Sequence, residues 1–121
     1  MSLLAVIILA VAALVVLRRM SYQSRLRIAV MHSLSVLADS QSAHRRRYGR
    51  WASAIGPRPG PDTITIALDS GAAVGILRAD STGWEGVGSH PLIQGGARLC
   101  MIFGGLPRDS RLTRENEPRC F

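Results

Sequence analysis

The side chains able to do chemistry are few, and their spacing argues against catalysis. His32, His44 and His90 are the only histidines, and no two of them stand at the spacing with which one helix face presents a pair of zinc ligands. Cys100 and Cys120 have no histidine nearby in sequence to act as base toward a thiolate nucleophile. Gly83, Gly86 and Gly88 fall inside a strand-like stretch rather than ahead of a helix, so they do not make a phosphate-cradling loop. His44, beside Arg45, Arg46 and Arg47, reads as a surface residue. The chain is therefore expected not to be an enzyme and to take no metal or cofactor.

One constellation has binding character: the run His44, Arg45, Arg46, Arg47, Tyr48, Gly49, Arg50 and Trp51. Arg45, Arg46, Arg47 and Arg50 offer charge to phosphates or other anions, and Tyr48 and Trp51 offer faces on which exposed bases stack, the pattern of a nucleic-acid contact. The same arginines also read as an ordinary helix end, because the helix dipole favours cations at its C-terminus.

Composition narrows the class. A chain of 121 residues with two cysteines excludes a multidomain enzyme, a collagen-like repeat and a disulfide-dense miniprotein. All fifteen basic residues are arginine, and the net charge of +7 is gathered at one end. Residues 1–50 hold eight arginines against the single acid Asp39, whereas residues 51–121 balance seven arginines with seven acids. Such an excess suits nucleic acid, anionic lipid or solubility without choosing among them. The two cysteines read either as one disulfide closing a loop in an oxidising compartment or as two buried thiols. As a disulfide the pair would contribute roughly 3 kcal/mol.

The apolar N-terminal run sets the framework that positions these groups. Residues 3–17 contain no charge, proline or glycine, so their backbone can satisfy itself as a helix in lipid. At 1.5 Å per residue they span roughly 22 Å, short of a hydrocarbon core of roughly 30 Å. A cleaved signal would need basic residues before the run, whereas Arg18 and Arg19 follow it. A buried core helix that is apolar on every face would need a larger protein around it. A membrane-embedded helix fits best, completed by neighbouring subunits. The arginines after the run would keep the remaining chain in the cytoplasm, while a disulfide would place it outside.

Residues 20–44 lack proline and glycine, and Leu26, Val30, Leu34 and Leu37 recur on one face. Arg25, His32, Asp39 and Gln41 are assigned to the solvated faces. One continuous helix from about Ser2 to about Arg46 follows, ended by Gly49 and by a linker rich in glycine and proline. Beyond it the period changes to two. Strands are expected at residues 63–68, 73–79, 84–90 and 97–103, with turns at 69–71 and 80–83. Trp84, Gly86, Gly88 and His90 would share a face. Short turns favour an antiparallel meander, and residues 104–121, which lack a period, are expected to form a loop held by Cys120.

This order of elements resembles a type IV pilin or pseudopilin. Local strings add to the likeness: Met1-Ser2-Leu3-Leu4 at the start, Leu37-Ala38-Asp39-Ser40-Gln41 and Tyr48-Gly49-Arg50-Trp51-Ala52-Ser53 near the helix end, and Ser81-Thr82-Gly83-Trp84 in the meander. The resemblance implies an α+β fold, with a long helix packed on a small antiparallel meander and a C-terminal disulfide loop through Cys100 and Cys120. It divides the chain into a membrane or filament-core helix (1–20), an amphipathic continuation (21–48), a Gly/Pro loop (49–62) and the meander with its disulfide loop (63–121).

The function it implies is that of a structural subunit of a pilus-like filament or secretion pseudopilus. The subunit would sit in the inner membrane before assembly, and afterwards in an extracellular filament or a periplasmic pseudopilus. Its partners would be other copies, related pilin-like subunits and the membrane. Packing in the filament core would fall to Leu3, Leu4, Ala5, Val6, Ile7, Ile8, Leu9, Val11, Leu14, Val15, Val16 and Leu17. The alternative is a single-pass anchored binding module outside the cytoplasm, such as a DNA-binding minor pilin. Two positions depart from the family: Ala5 stands where it has glutamate, and Tyr22 where many members bend the helix with proline. The resemblance leaves open whether Met1 is a processed terminus or an initiator. A basic leader, cut off by the family's peptidase, would overrule Arg18 and Arg19 in setting orientation.

Overall fold

The computed structural model describes residues 2–68, 71–96 and 98–121. Met1, Asp69, Ser70 and Ala97 lie outside the described residues, and with them most of the expected 69–71 turn and the first position of the expected 97–103 strand. The architecture is α+β: one long helix, a four-stranded antiparallel sheet and a C-terminal disulfide.

Helix α1, Leu3–Tyr48, runs unbroken for 46 residues, about 69 Å. Ser2 caps its start, the hydroxyl accepting from the Ala5 amide at 3.2 Å. Gly49 ends it in the left-handed conformation (φ 74°), its N–H donating to the Arg45 carbonyl at 2.8 Å. The two halves of the helix live in different surroundings. Leu26, Val30, Ser33, Leu34, Leu37, Ala38, Gln41 and His44 are buried against the sheet and its loops, whereas the helix before Gln23 leaves its large apolar side chains exposed.

The sheet is a meander in the order β3-β4-β5-β6, formed by β3 (Ala73–Ala79), β4 (Gly83–Ser89), β5 (Cys100–Gly105) and β6 (Arg119–Cys120). Its helix-facing side joins Trp84, Cys100 and Ile102 to the helix stripe, with Ala52, Ile64 and Ile93 supplied by loops and a short strand. On the opposite side Met101, Phe103 and Leu112 form a smaller cluster with Val87 and Phe121. Gly86 and Gly88 let α1 approach closely. A Cβ at Gly86 would stand 2.7 Å from Leu37 Cδ2, and one at Gly88 2.8 Å from Val30 Cγ1.

Three expectations need correction. The 63–68 segment does not open the meander. Only Thr63–Ile64 (β2) is a strand, and it pairs in parallel with β1, Ala54–Ile55, in a separate two-stranded sheet. Its partner ends at Gly56 and Pro57, so residues 65–68 find no ladder, and Thr65 spends its hydroxyl on the Gly56 carbonyl at 2.7 Å. The third strand stops at Ser89, before His90, and the next begins only at Cys100. The C-terminal tail is more than a loop. It returns as β6, with Cys120 directly opposite Cys100 in the ladder, so the disulfide joins two residues already in register. Asn116 donates to the Phe103 carbonyl at 2.8 Å, and the Glu115 carboxylate accepts from Gly105 at 2.6 Å.

Candidate functional site

Two surfaces carry functional character, one at each end of α1. The first is the unpacked N-terminal half. Leu3 is 76% exposed, and Leu4, Val6, Ile7, Ile8, Leu9, Val11, Leu14, Val15, Val16 and Leu17 are all exposed. Ala5 is half-buried by its own helix. The helix is long and apolar enough to cross a membrane, and nothing in the folded domain covers that stretch. The expected filament-core residues thus form one continuous bare surface, with Arg18 and Arg19 exposed directly after it.

The second surface is the far end of the helix. Gly49 reverses the chain there, so that Trp51 folds back onto the last helical turn with the Arg45 guanidinium 3.9 Å from its ring centroid. Arg47 lies 5.3 Å from the Tyr48 ring centroid. Among the described residues Arg45, Arg46 and Arg47 have no carboxylate partner. Arg50 leaves the group: its guanidinium pairs with Asp62 at 3.1 Å and donates from Nε to the Pro61 carbonyl at 3.3 Å.

Two open pockets flank the Arg45–Trp51 stack. One, of about 440 Å³, is bordered by Arg45, Arg50, Trp51, Asp62 and Asp80. The other, of about 410 Å³, is bordered by Arg46, Trp51, Trp84, Glu115 and Asn116. The structure therefore brings Arg45, Arg46 and Trp51 together, sets Arg47 beside Tyr48 and turns Arg50 toward an acid. With a carboxylate on each pocket wall, the ridge is a mixed polar surface crowned by three unpaired cations.

His44 and Gln41 correct the reading of the helix faces. His44 is buried, its Nε2 lying 2.8 Å from the Pro61 carbonyl and its ring against Tyr48. Gln41 is fully buried. Its amide clasps the backbone of Ala52, donating to the carbonyl at 2.8 Å and accepting from the N–H at 2.7 Å. That clasp fixes where Trp51 leaves the helix. The signal lay in the spacing: Gln41 follows Leu37 by four residues and so continues the apolar stripe.

A charged network also stands near this end. The Arg78 side chain is nearly buried and reaches Asp80 at 3.0 Å, Glu85 at 3.3 Å and the Leu106 carbonyl. Arg108 adds its guanidinium to Asp80 at 3.1 Å and its N–H to Glu85 at 2.6 Å. Hydrogen bonds from the Thr82 hydroxyl and amide, and then from Arg78, hold the Asp80 carboxyl far below the usual carboxylate range. The network pins the β3–β4 turn, and every charge in it has a partner. Among the described residues no three of His, Cys, Asp and Glu gather as metal ligands would.

No family model matches this chain, and neither a characterised protein nor a solved structure is detectably similar to it.

Proposed function

We propose that the chain is a structural subunit of a type IV pilus-like filament or secretion pseudopilus, held in a membrane by the first half of α1 until it assembles. The observation that carries the reading is the division of one unbroken helix into a packed half and a bare apolar half. Lipid covers the bare half at no cost. Once it is withdrawn, each large aliphatic side chain left in water costs about 1.5 to 3 kcal/mol, and only other apolar rods remove that cost. Ala5, Ala10, Ala12 and Ala13 let such rods come close. A head-to-tail contact that does not close on itself propagates as a filament. The disulfide agrees with a domain held in an oxidising compartment.

Immunolabelled electron microscopy of sheared surface material, or of periplasmic contents, tests this. Labelled filaments are expected in one of them and should vanish on Leu9→Arg. A protein found only as a membrane-bound monomer would overturn the reading.

The unpaired arginines beside Trp51 favour a second reading, an anchored module that presents this ridge to an anionic ligand such as DNA. Arg45 stands 28 residues beyond Leu17, about 42 Å along the helix, well clear of a bilayer. DNA affinity that falls with salt, and that is lost when Arg45, Arg46 and Arg47 become alanine, would support it. Binding indifferent to either change would remove it.

A further inference from the structure

The lower rim of the domain carries a feature that filament assembly does not use. Gln23 donates to the Leu92 carbonyl at 3.1 Å and accepts from the Gln94 amide at 2.8 Å, and Arg27 donates to the Gly96 carbonyl at 3.2 Å. These contacts clip the loop after β4 to the helix six residues beyond Leu17, which is about 9 Å along the axis. The headgroup layer outside the hydrocarbon is about 5 to 8 Å deep. A helix embedded through Leu17 therefore brings this loop to the outer edge of the headgroups.

The chemistry of the rim suits that position. Leu92 projects from the loop 53% exposed. Arg18, Arg19 and Arg25, about 2, 3 and 12 Å beyond Leu17 along the axis, are exposed on the helix to either side of the Gln23 clip, without a carboxylate partner among the described residues. The first 38 residues contain no acid, and neither does the stretch from Gly86 to Arg108 that includes the loop. Several of the domain's ion pairs gather around Asp80, at the opposite end of the sheet.

We propose that this rim, made of Arg18, Arg19, Arg25 and Leu92, is a seat for anionic phospholipid headgroups, holding the domain flush on the bilayer before assembly. The arginines supply the charge complement, their stems letting the guanidinium groups reach the phosphates, and the exposed Leu92 rests against the headgroup layer. The seat rests on the reading that the first half of α1 is embedded. In this geometry the lipid phosphates, rather than water, satisfy the three guanidinium groups. Leaving the membrane then requires breaking those contacts as well as withdrawing the rod.

The full-length protein, reconstituted in nanodiscs of phosphatidylcholine alone or with about one-third phosphatidylglycerol, tests the seat by hydrogen–deuterium exchange. Backbone amides of residues 92–96 should exchange more slowly in the anionic discs, by at least the factor of about five that one arginine near an anionic surface provides. The difference should disappear in about 1 M salt, where screening shortens to about 3 Å, and in the combined Arg18→Gln, Arg19→Gln, Arg25→Gln variant. Equal exchange in both lipids, with the chain co-purifying with the discs, would overturn the seat while leaving the anchor standing. A chain that stays out of both kinds of disc would overturn the anchor and the seat together. The salt arm needs no substitution, so the outcome does not depend on whether the variant folds.

Discussion

Replacing Gln41 with leucine isolates the interaction that aims the far end of the helix. Gln41 and Ala52 are both fully buried, so no water can take the place of the lost amide. The Ala52 N–H and C=O would each be left without a partner, at about 1–3 kcal/mol apiece. The apolar contact that leucine adds returns about 1.5 kcal/mol, leaving a net loss of about 2.5 kcal/mol at the middle of that range. Gln23→Leu is the matched control: it removes the same pair of backbone contacts at an exposed site, where water replaces them at a cost of about 0.5 kcal/mol. Urea unfolding of the full chain in mild detergent, followed by the fluorescence of Trp51 and Trp84, reports both. With a slope of about 2 kcal/mol per molar urea, Gln41→Leu should lower the midpoint by about 1.2 M and Gln23→Leu by about a fifth of that. Equal shifts for the two variants would refute the claim that burial makes the Gln41 clasp structural.

Leu9→Arg places a charge in the middle of the apolar run at about 2.5–3.5 kcal/mol in a bilayer, and should move the protein from the membrane pellet to the soluble or aggregated fraction on carbonate extraction. Reducing Cys100–Cys120, which spans a sequence separation of 20, should cost about 3 kcal/mol, read as a lower urea midpoint with dithiothreitol. Gly88→Val drives side-chain atoms into Val30 and Leu34, and overpacking of this kind costs about 1–3 kcal/mol, visible as a drop in thermal midpoint.

Acid should act through Asp80 and through Asp109, whose carboxyl is drawn down to about 2 by hydrogen bonds from the Arg111 side chain and amide. Carboxyls held below their unfolded values stabilise the fold above about pH 4 and lose that contribution as pH falls further. The thermal midpoint should therefore stay level down to about pH 4 and fall below it, with Asp80→Asn taking away part of that fall.

Leu26, Val30, Leu34 and Leu37 announced the packed face of α1 because burial follows the helical period, and the same period led on to Gln41. Polar type argued for solvent there and position argued for the core. Position prevailed because the amide could satisfy both its donor and its acceptor on one backbone residue. The alternation at 63–68 carried half of the information a strand needs: it marks a side that can be buried but names no partner, and Pro57 and Pro59 remove the partner. Residues 104–121 had no period to read. Their order comes from Cys120 standing opposite Cys100 and from Glu115, Asn116 and Phe121 capping neighbouring backbone groups, pairings between distant segments that a single sequence does not display. Arg78 was equally silent, since an arginine in a strand reads as solvent-facing until Asp80, Glu85 and Arg108 surround it. At the candidate surfaces, the bare rod was legible as an uncharged run, whereas the diversion of Arg50 to Asp62 depended on how the 49–62 loop closes.

Because α1 contains no proline or glycine between Leu3 and Tyr48, it has no built-in hinge, and a helix of this kind curves only gently. The loop clipped at Gln23 and Arg27 ties the sheet to the helix within three turns of the apolar run. The domain therefore cannot swivel independently of the rod that carries it. In a filament, whichever face of the rod meets its neighbours also dictates which face of the sheet looks outward. In an anchored monomer, the same coupling lets contacts at the membrane surface set the direction of the arginine ridge about 42 Å away. One residue of rotation in the helix is about 100°, enough to carry that ridge from an outer to an inner position. In a filament, the spacing between the apolar run and the Gln23 clip would thus be the quantity through which packing of the rods governs what the far end presents.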